Sequence, residues 1–247
     1  WCLTMTLLID ADWLIYSSCC SCEQDVKWDE NLHTLHCDER DIHEMIDSRI
    51  EYYQTIADDK TDVVMCFTEY PTFRHQIFSD YKANRKNKRK PLALYAMVEQ
   101  IKQRYESVSY TGLEGDDVLG LLATSKRYSN SIVVSPDKDM KTVPCTLIAS
   151  DDMELITKKK ADRNWMLQAL TGDTTDNFKG LIGCGPVTAD KILGDAKTLP
   201  DMWDKVVKAY KKKKQTFTDA LLTARLSRIL REGDFNYKTK EVELWTP

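Results

Sequence analysis

Three carboxylates, Glu114, Asp116 and Asp117, fall within four residues in the stretch LEGDDVLG, just ahead of an apolar helical run. Charges this close repel, and burying them without a counter-charge is costly. Acids also suit the first turn of a helix as caps and as partners of its dipole, which accounts for one or two of the three. Further acids follow strand-like or turn-like runs elsewhere: Asp10 after TLLI, Glu69 after DVVMCFT, Asp137 and Asp139 in SPDKD, Asp173 and Asp176 in GDTTDN. Any one of these is what an ordinary turn carries. Taken together they ask for a hard divalent cation, because Mg²⁺ and Mn²⁺ take carboxylate oxygens. Asp12 reads as a helix cap, which leaves Asp10 for chemistry. No Ser/His/Asp or Cys/His set is visible and the four histidines are scattered, so no side-chain nucleophile or histidine base is expected.

Two other stretches suit a polyanion. Residues 79–91, SDYKANRKNKRKP, set Lys82, Arg85, Lys86, Lys88, Arg89 and Lys90 beside Tyr81. A charge run is usually a solvated face. The aromatic among the cations favours phosphate contacts with a base or ribose stacked on the ring. Residues 180–189, GLIGCGPVTA, place Gly180, Gly183 and Gly185 ahead of Pro186 at a favoured first helical position, with Thr188 following. Such a turn presents free backbone N–H groups, which hold phosphate oxygens without reading sequence. A second basic run, Lys211 to Lys214, reads equally well as a solvated face. Cys20, Cys22, His33, His36 and Cys37 lie near one another in sequence, but their spacing matches no common zinc module, so free thiols are expected.

These residues need a scaffold. The chain has 247 residues, 42% hydrophobic and 30% charged, enough for one large or two smaller domains with a substantial core. The net charge of −4 argues against a general nucleic-acid coat, although it averages acidic and basic regions. No run is long and apolar enough to span a membrane, and the eight cysteines show no disulfide framework, so a reducing, cytoplasmic setting is expected. The chain opens on Trp1 without a Met, so its natural start is expected to lie upstream or to have been trimmed. Buried strands are expected at 3–9, 62–67 and 131–135, with helices at 11–22, 38–57 and 92–105. A short strand is expected at 108–110, one or two more within 145–157, and a polar connection at 23–37. The alternation predicts an α/β fold with a mostly parallel central sheet flanked by helices, and open sheets of this kind build sites at their carboxyl ends. From Ala161 the pattern turns helical, closing with a helix at 217–231. Lys240 to Trp245 reads as a strand returning to the sheet. The expected domains are a core at 1–160 carrying the basic arch 79–91, a helical part at 161–234, and a tail at 235–247.

The set IDAD, YKANR, LEGDDV, SPDKD and GDTTDNFKGLIGCGPVTA, with the ending ARLSRILREGDF…LWTP, resembles the 5′-nuclease superfamily, and bacteriophage 5′–3′ exonucleases most closely. The motifs run through most of the chain in the family's order. One departure matters: the Asp usual after the second strand is missing from CFTEYP, and Glu69 is the nearest substitute. The resemblance implies a two-metal nuclease. In it Asp10, Glu69, Glu114 and Asp116 serve the first ion, and Asp117, Asp137, Asp139, Asp173 and Asp176 the second. Two ions about 3.5–4 Å apart activate water and stabilise the leaving oxygen. It implies that Lys82 and Arg85 approach the scissile phosphate from the arch, with Lys86 beside them, and that Tyr81 stacks on a base. It implies a helix-hairpin-helix motif in the helical part, where Gly183 and Gly185 hold duplex backbone with K⁺ as a helper. The expected substrate is DNA with a 5′ end, flap, nick or gap, extending to RNA–DNA hybrids, and the expected state is a monomer. A phage-encoded member would work in the host cytoplasm. Two other readings stand beside it: a PIN-type ribonuclease, which normally lacks the glycine hairpin, and a non-catalytic DNA-end binding protein.

Overall fold

The computed structural model describes residues 5–57, 61–85 and 88–247. Strand β1 (Met5–Asp10) leads directly into helix α1 (Ala11–Cys22), then strands β2 (Gln24–Lys27) and β3 (His33–His36). Helix α2 (Glu39–Ile56), strand β4 (Thr61–Cys66), the short α3 (Phe73–Ile77), α4 (Leu94–Arg104) and β5 (Glu106–Val108) follow. Next come α5 (Gly115–Thr124), β6 (Ser131–Val134), β7 (Cys145–Ile148) and β8 (Met153–Ile156). The remainder runs α6 (Lys158–Thr171), β9 (Gly172–Asp173), β10 (Phe178–Lys179), α7 (Pro186–Leu193), α8 (Leu199–Lys212), α9 (Phe217–Leu226), β11 (Phe235–Asn236) and β12 (Glu241–Val242).

The main sheet has the order β5-β4-β1-β6-β7-β8, parallel throughout except for β8. Strand β1 is central because both its faces are apolar. Leu8 packs with Val64 and Val133 against α5, while Leu7 and Ile9 pack with Met65, Ile132 and Val134 against α1, α2 and α4. Helix α2 buries Ile42, Ile46 and Ile50 at four-residue spacing, the stripe the sequence pattern predicts. The chain winds from β1 outward to β4 on one side and β6 on the other. The carboxyl ends of β1 and β6 therefore flank a topological switch point, where open α/β sheets bind ligands. Helices α6 to α9 bury a separate cluster around Trp165, Trp203 and Tyr210.

Four expectations need correction. The short strand expected at 108–110 is β5, at Glu106–Val108. The polar connection at 23–37 is a hairpin, with β2 and β3 paired antiparallel. Its tip is closed by Asp29, whose Oδ1 accepts the Asn31 and Leu32 N–H groups at 2.7 and 2.8 Å. Exposed strands of four residues leave no hydrophobic alternation to read. The last helix stops at Leu226, not at 231. Beyond it Arg228 pairs with Asp234, Arg231 with Asp162 of α6, and the Leu230 N–H donates to Asp117 at 3.2 Å, contacts that hold the segment in a non-helical course. The tail strand β12 pairs with β11 alone, and Trp245 inserts edge-on between Trp165 and Trp203.

Candidate functional site

A cavity of about 230 Å³ opens at the carboxyl ends of β1 and β6. It is lined by eight carboxylates, Asp10, Asp12, Glu114, Asp116, Asp137, Asp139, Asp173 and Asp176, against four cations, Arg74, Lys82, Arg85 and Lys138. The acids other than Asp176 arrive from strand ends, helix starts or the turn after β6. Asp10 ends β1 and caps α1, its Oδ1 accepting the Trp13 N–H at 3.0 Å and its Oδ2 the Ser135 hydroxyl at 2.9 Å. The Asp137 carboxylate accepts the Asp139 N–H at 2.8 Å in the turn after β6. Asp173 and Asp176 sit on the turn between β9 and β10, where Asp173 Oδ1 accepts the Thr175 N–H at 2.7 Å.

The acids divide by charge balance. Burial alone would raise Glu114, but Arg74 and Lys82 outweigh it and hold the carboxyl below its usual value. Burial is likewise overcome at Asp173, by Lys138 and the Thr175 and Asp176 N–H groups. At Asp10, Asp12, Asp116, Asp139 and Asp176 burial wins, at Asp176 even against Lys82 and the paired Arg85. Burial, with Asp12 and Asp137 nearby, pushes Asp10 up to about 6. Burial and Asp137 push Asp139 to about 6. Asp116 is driven well above the ordinary range by burial and by Asp10 and Asp137. Asp12 is raised by burial, with Glu114 adding to it.

The LEGDDV triplet serves two purposes. Glu114 and Asp117 form the cap of α5, the Glu114 N–H donating to Asp117 Oδ2 at 3.3 Å. The buried Arg74 guanidinium donates to Glu114 at 2.9 Å and to both Asp117 oxygens at 2.5 and 2.8 Å. Asp117 is fully enclosed and does not line the cavity, contrary to its expected place beside an ion. Glu69 is also absent from the lining: it is half-buried, its N–H donating to the Leu113 carbonyl and its side chain accepting from Ser109 at 2.5 Å. Thr68 holds the second strand's place in the cavity instead, donating its N–H to Asp12 Oδ2 at 3.0 Å and accepting the Gly115 N–H at 2.8 Å. Asp12, which in sequence reads as a cap, lines the cavity beside Thr68. Seven expected acids line the cavity: Asp10, Glu114, Asp116, Asp137, Asp139, Asp173 and Asp176.

Tyr81 differs from expectation too. It is 3% exposed, with its hydroxyl 2.9 Å from Glu114 and 2.8 Å from Asp176, so its ring is not available to stack on a base. Lys82 follows in a left-handed conformation (φ 54°), its Nζ 2.5 Å from Glu114 and 3.8 Å from Asp176. Arg85 pairs with Asp176 at 2.6 Å. Lys86 lies outside the described residues. Gln168 of α6, which no sequence motif signals, reaches the cavity and donates to Asp139 at 2.8 Å.

The donor set fits hard cations. It is all carboxylate oxygen, and the raised Asp10, Asp116 and Asp139 mark where positive charge is missing. Among the described residues no three His, Cys, Asp or Glu side chains form a ready-made cage, so the acids ring the cavity rather than close on one point. This holds equally for the Cys20, Cys22, His33, His36 and Cys37 group, whose cysteines are free thiols.

A second cavity lies at the glycine turn, lined by Gly183, Thr188, Lys191, Lys205, Lys208, Lys212 and Lys213 among others. Gly183 has φ +69°, which a side chain would strain. Gly185 caps α7 with an ordinary φ of −89°, and a Cβ built there meets nothing within 4 Å. Among the described residues nothing requires glycine at 185, and the space in front of it is open.

The family model described as the 5′-3′ exonuclease N-terminal resolvase-like domain matches residues 5–170. The exodeoxyribonuclease of enterobacteria phage T3 is 29% identical over 280 residues, covering 98% of this chain and 92% of that protein. The exonuclease of Escherichia phage T7 is 26% identical, covering 98% and 93%. Among solved structures, the phage T5 D15 protein co-crystallised with metal ions aligns with a TM-score of 0.58 at 16% identity, covering 90% of each chain, and shares the fold. The D15 flap endonuclease in complex with DNA and metal ions aligns at 0.59 and 15%, covering 90% and 89%. By the match over its sheet and first helical residues, this chain is a member of the 5′–3′ exonuclease family.

Proposed function

We propose that the chain is a divalent-metal-dependent 5′ nuclease that hydrolyses phosphodiester bonds of DNA at 5′ ends and flaps. The observation that carries this reading is the carboxylate-lined cavity at the switch point of the sheet in a chain of this family. Asp10, Asp12, Glu114 and Asp116 are the proposed oxygens for one ion, and Asp137, Asp139, Asp173 and Asp176 for the other, either directly or through water. Mg²⁺ or Mn²⁺ bound there would supply an activated water and stabilise the departing oxygen.

The chain's own residues do the rest. Lys82 Nζ stands over Glu114 and Asp176 at the cavity mouth, where it can meet a phosphate oxygen as its charge grows. Arg85 lies beside it, and its pairing with Asp176 is one that a bound cation would compete for. The Tyr81 hydroxyl lies within hydrogen-bond distance of both Glu114 and Asp176 and links the sheet to the turn that carries Asp176. The lysine-lined cavity at Gly183 and Thr188, with Gly185 beside it, is the proposed helix-hairpin-helix grip on duplex backbone, with K⁺ as its proposed helper. A monomer on nicked, gapped or flapped DNA satisfies both surfaces, and the same chemistry extends to the RNA strand of a hybrid. For a phage-encoded chain the setting is the host cytoplasm; among the described residues no helix is long and apolar enough to cross a membrane.

The test is cleavage of 5′-labelled duplex, flap and RNA–DNA hybrid in Mg²⁺ and in EDTA. Metal-dependent products from the 5′ end support the reading, and tight DNA binding without cleavage in any divalent metal overturns it in favour of an end-binding protein.

A further inference from the structure

Among the described residues Gln168 is the one neutral amide among the acids of the cavity, and only half of it is used. Its Nε2 donates to Asp139 Oδ2 at 2.8 Å. Its Oε1 is buried and, among the described residues, accepts nothing. A buried carbonyl oxygen without a donor costs about 1–3 kcal/mol, so a chain that keeps one has a use for it or fills it from outside. Turning the amide over does not remove the problem: the carbonyl would then face the Asp139 carboxylate and the N–H₂ would be the orphan.

The residue is well held. It projects from α6, whose Trp165, Met166, Ala169 and Leu170 are packed in the helical core, and it lines both the acid cavity and the groove leading from it towards Pro186. Small hard cations dehydrate reluctantly, and their remaining waters are hydrogen-bond donors in search of acceptors. More carboxylate would deepen the repulsion already felt by Asp139, whereas an amide oxygen accepts without adding charge.

We infer that Gln168 is a positioning residue for the metal centre: its N–H₂ orients Asp139, and its Oε1 accepts a hydrogen bond from water on the ion held by Asp137 and Asp139. This rests on the metal reading proposed above. It assigns a role to a helix-borne residue outside the acidic motifs, and partners of this kind typically alter metal affinity 10–100-fold when lost.

The experiment is Mn²⁺ binding to the intact chain without DNA, followed by electron paramagnetic resonance of free Mn²⁺, for wild type, Gln168→Leu and Gln168→Asn. Wild type should bind two ions, and Gln168→Leu should weaken one of them about 10–100-fold while leaving the other within about twofold. Gln168→Asn, which keeps both groups on a shorter stem, should show a smaller loss in the same direction. It carries the test alone if the leucine variant does not fold. Wild-type isotherms from both folded variants would overturn the inference and leave Gln168 a packing residue. Absence of Mn²⁺ binding by wild type, or binding indifferent to Asp116→Asn, would instead strike the underlying metal reading.

Discussion

Arg74→Met tests the interaction on which the acidic helix start depends. The guanidinium is 3% exposed and faces a Glu114 side chain 6% exposed and an Asp117 side chain at 0%. It also donates to the Leu226 and Arg228 carbonyls at 3.0 and 2.6 Å, joining α3 and α5 to the segment after α9. Removing one partner of a buried ion pair strands the other charge, at a cost of about 3–5 kcal/mol. Glu114 keeps Lys82, whereas Asp117 loses the guanidinium that meets both its oxygens, so that range applies. For a chain of this size about 3–5 kcal/mol lowers Tm by about 6–20 °C. The assay is urea and thermal unfolding followed by circular dichroism. Arg74→Lys should rescue little, because a single ammonium cannot reach two carboxylates and two carbonyls from one point. Arg74→Met with Asp117→Asn should recover part of the loss by neutralising one stranded charge. A loss below about 1 kcal/mol in Arg74→Met would refute the reasoning, since Glu114 and Asp117 would then not depend on that guanidinium for their charge.

Three further outcomes follow from the cavity and the turn. Asp10 stands at about 6 folded against an ordinary 3.8, so the folded chain holds a proton that the unfolded chain has released between those values. Stability from this group therefore falls as pH rises through that window, by about 3 kcal/mol for a shift of about two units; melts in EDTA should show it, and saturating Mg²⁺ should flatten the dependence. Asp116→Asn should abolish cleavage with DNA affinity kept or increased, whereas Glu69→Gln, outside the cavity, should stay within about threefold of wild-type single-turnover rate, and a steep loss there would return Glu69 to the ligand set. Gly185→Val should fold normally, because a Cβ there has no described protein atom within 4 Å, and should weaken duplex affinity at least about tenfold while sparing single strands; unchanged duplex affinity would remove the turn from the DNA interface.

The parallel sheet was legible because its central strands are buried on both faces, and long apolar runs such as TLLI and SIVV report that directly. The acids were legible because they follow those runs. Which acids face the cavity was not, since that depends on one turn of helix: Asp116 and Asp117 are neighbours in sequence yet point to opposite environments. Glu69 and Thr68 differ by the same single step at a strand end, and the register of the turn chose Thr68. Asp12 was set aside because capping and cavity lining look alike in sequence, and here Asp10 does both. The hairpin of β2 and β3 left no trace because strands this short hold their shape through turn hydrogen bonds, not hydrophobic pattern; β12 was legible from the alternation of Val242 and Leu244, but its partner β11 was not. Gln168 was invisible for a different reason: its partner comes from a distant part of the chain.

The closing segment bears on how the molecule comes apart. Ile229, Leu230 and Phe235 are buried with the sheet cluster, with Val242 and Leu244 packed against it, while Trp245 is seated with Trp165 and Trp203 in the helical cluster. The Arg225 Nε donates to the Trp245 carbonyl at 3.0 Å, tying the chain end back to α9. The tail is a stitch through both cores, so loosening either one withdraws packing from the other. Heat should melt the two clusters in a single cooperative transition, and loss of the final residues should be felt by the helices that carry the lysine cavity before it is felt by the sheet.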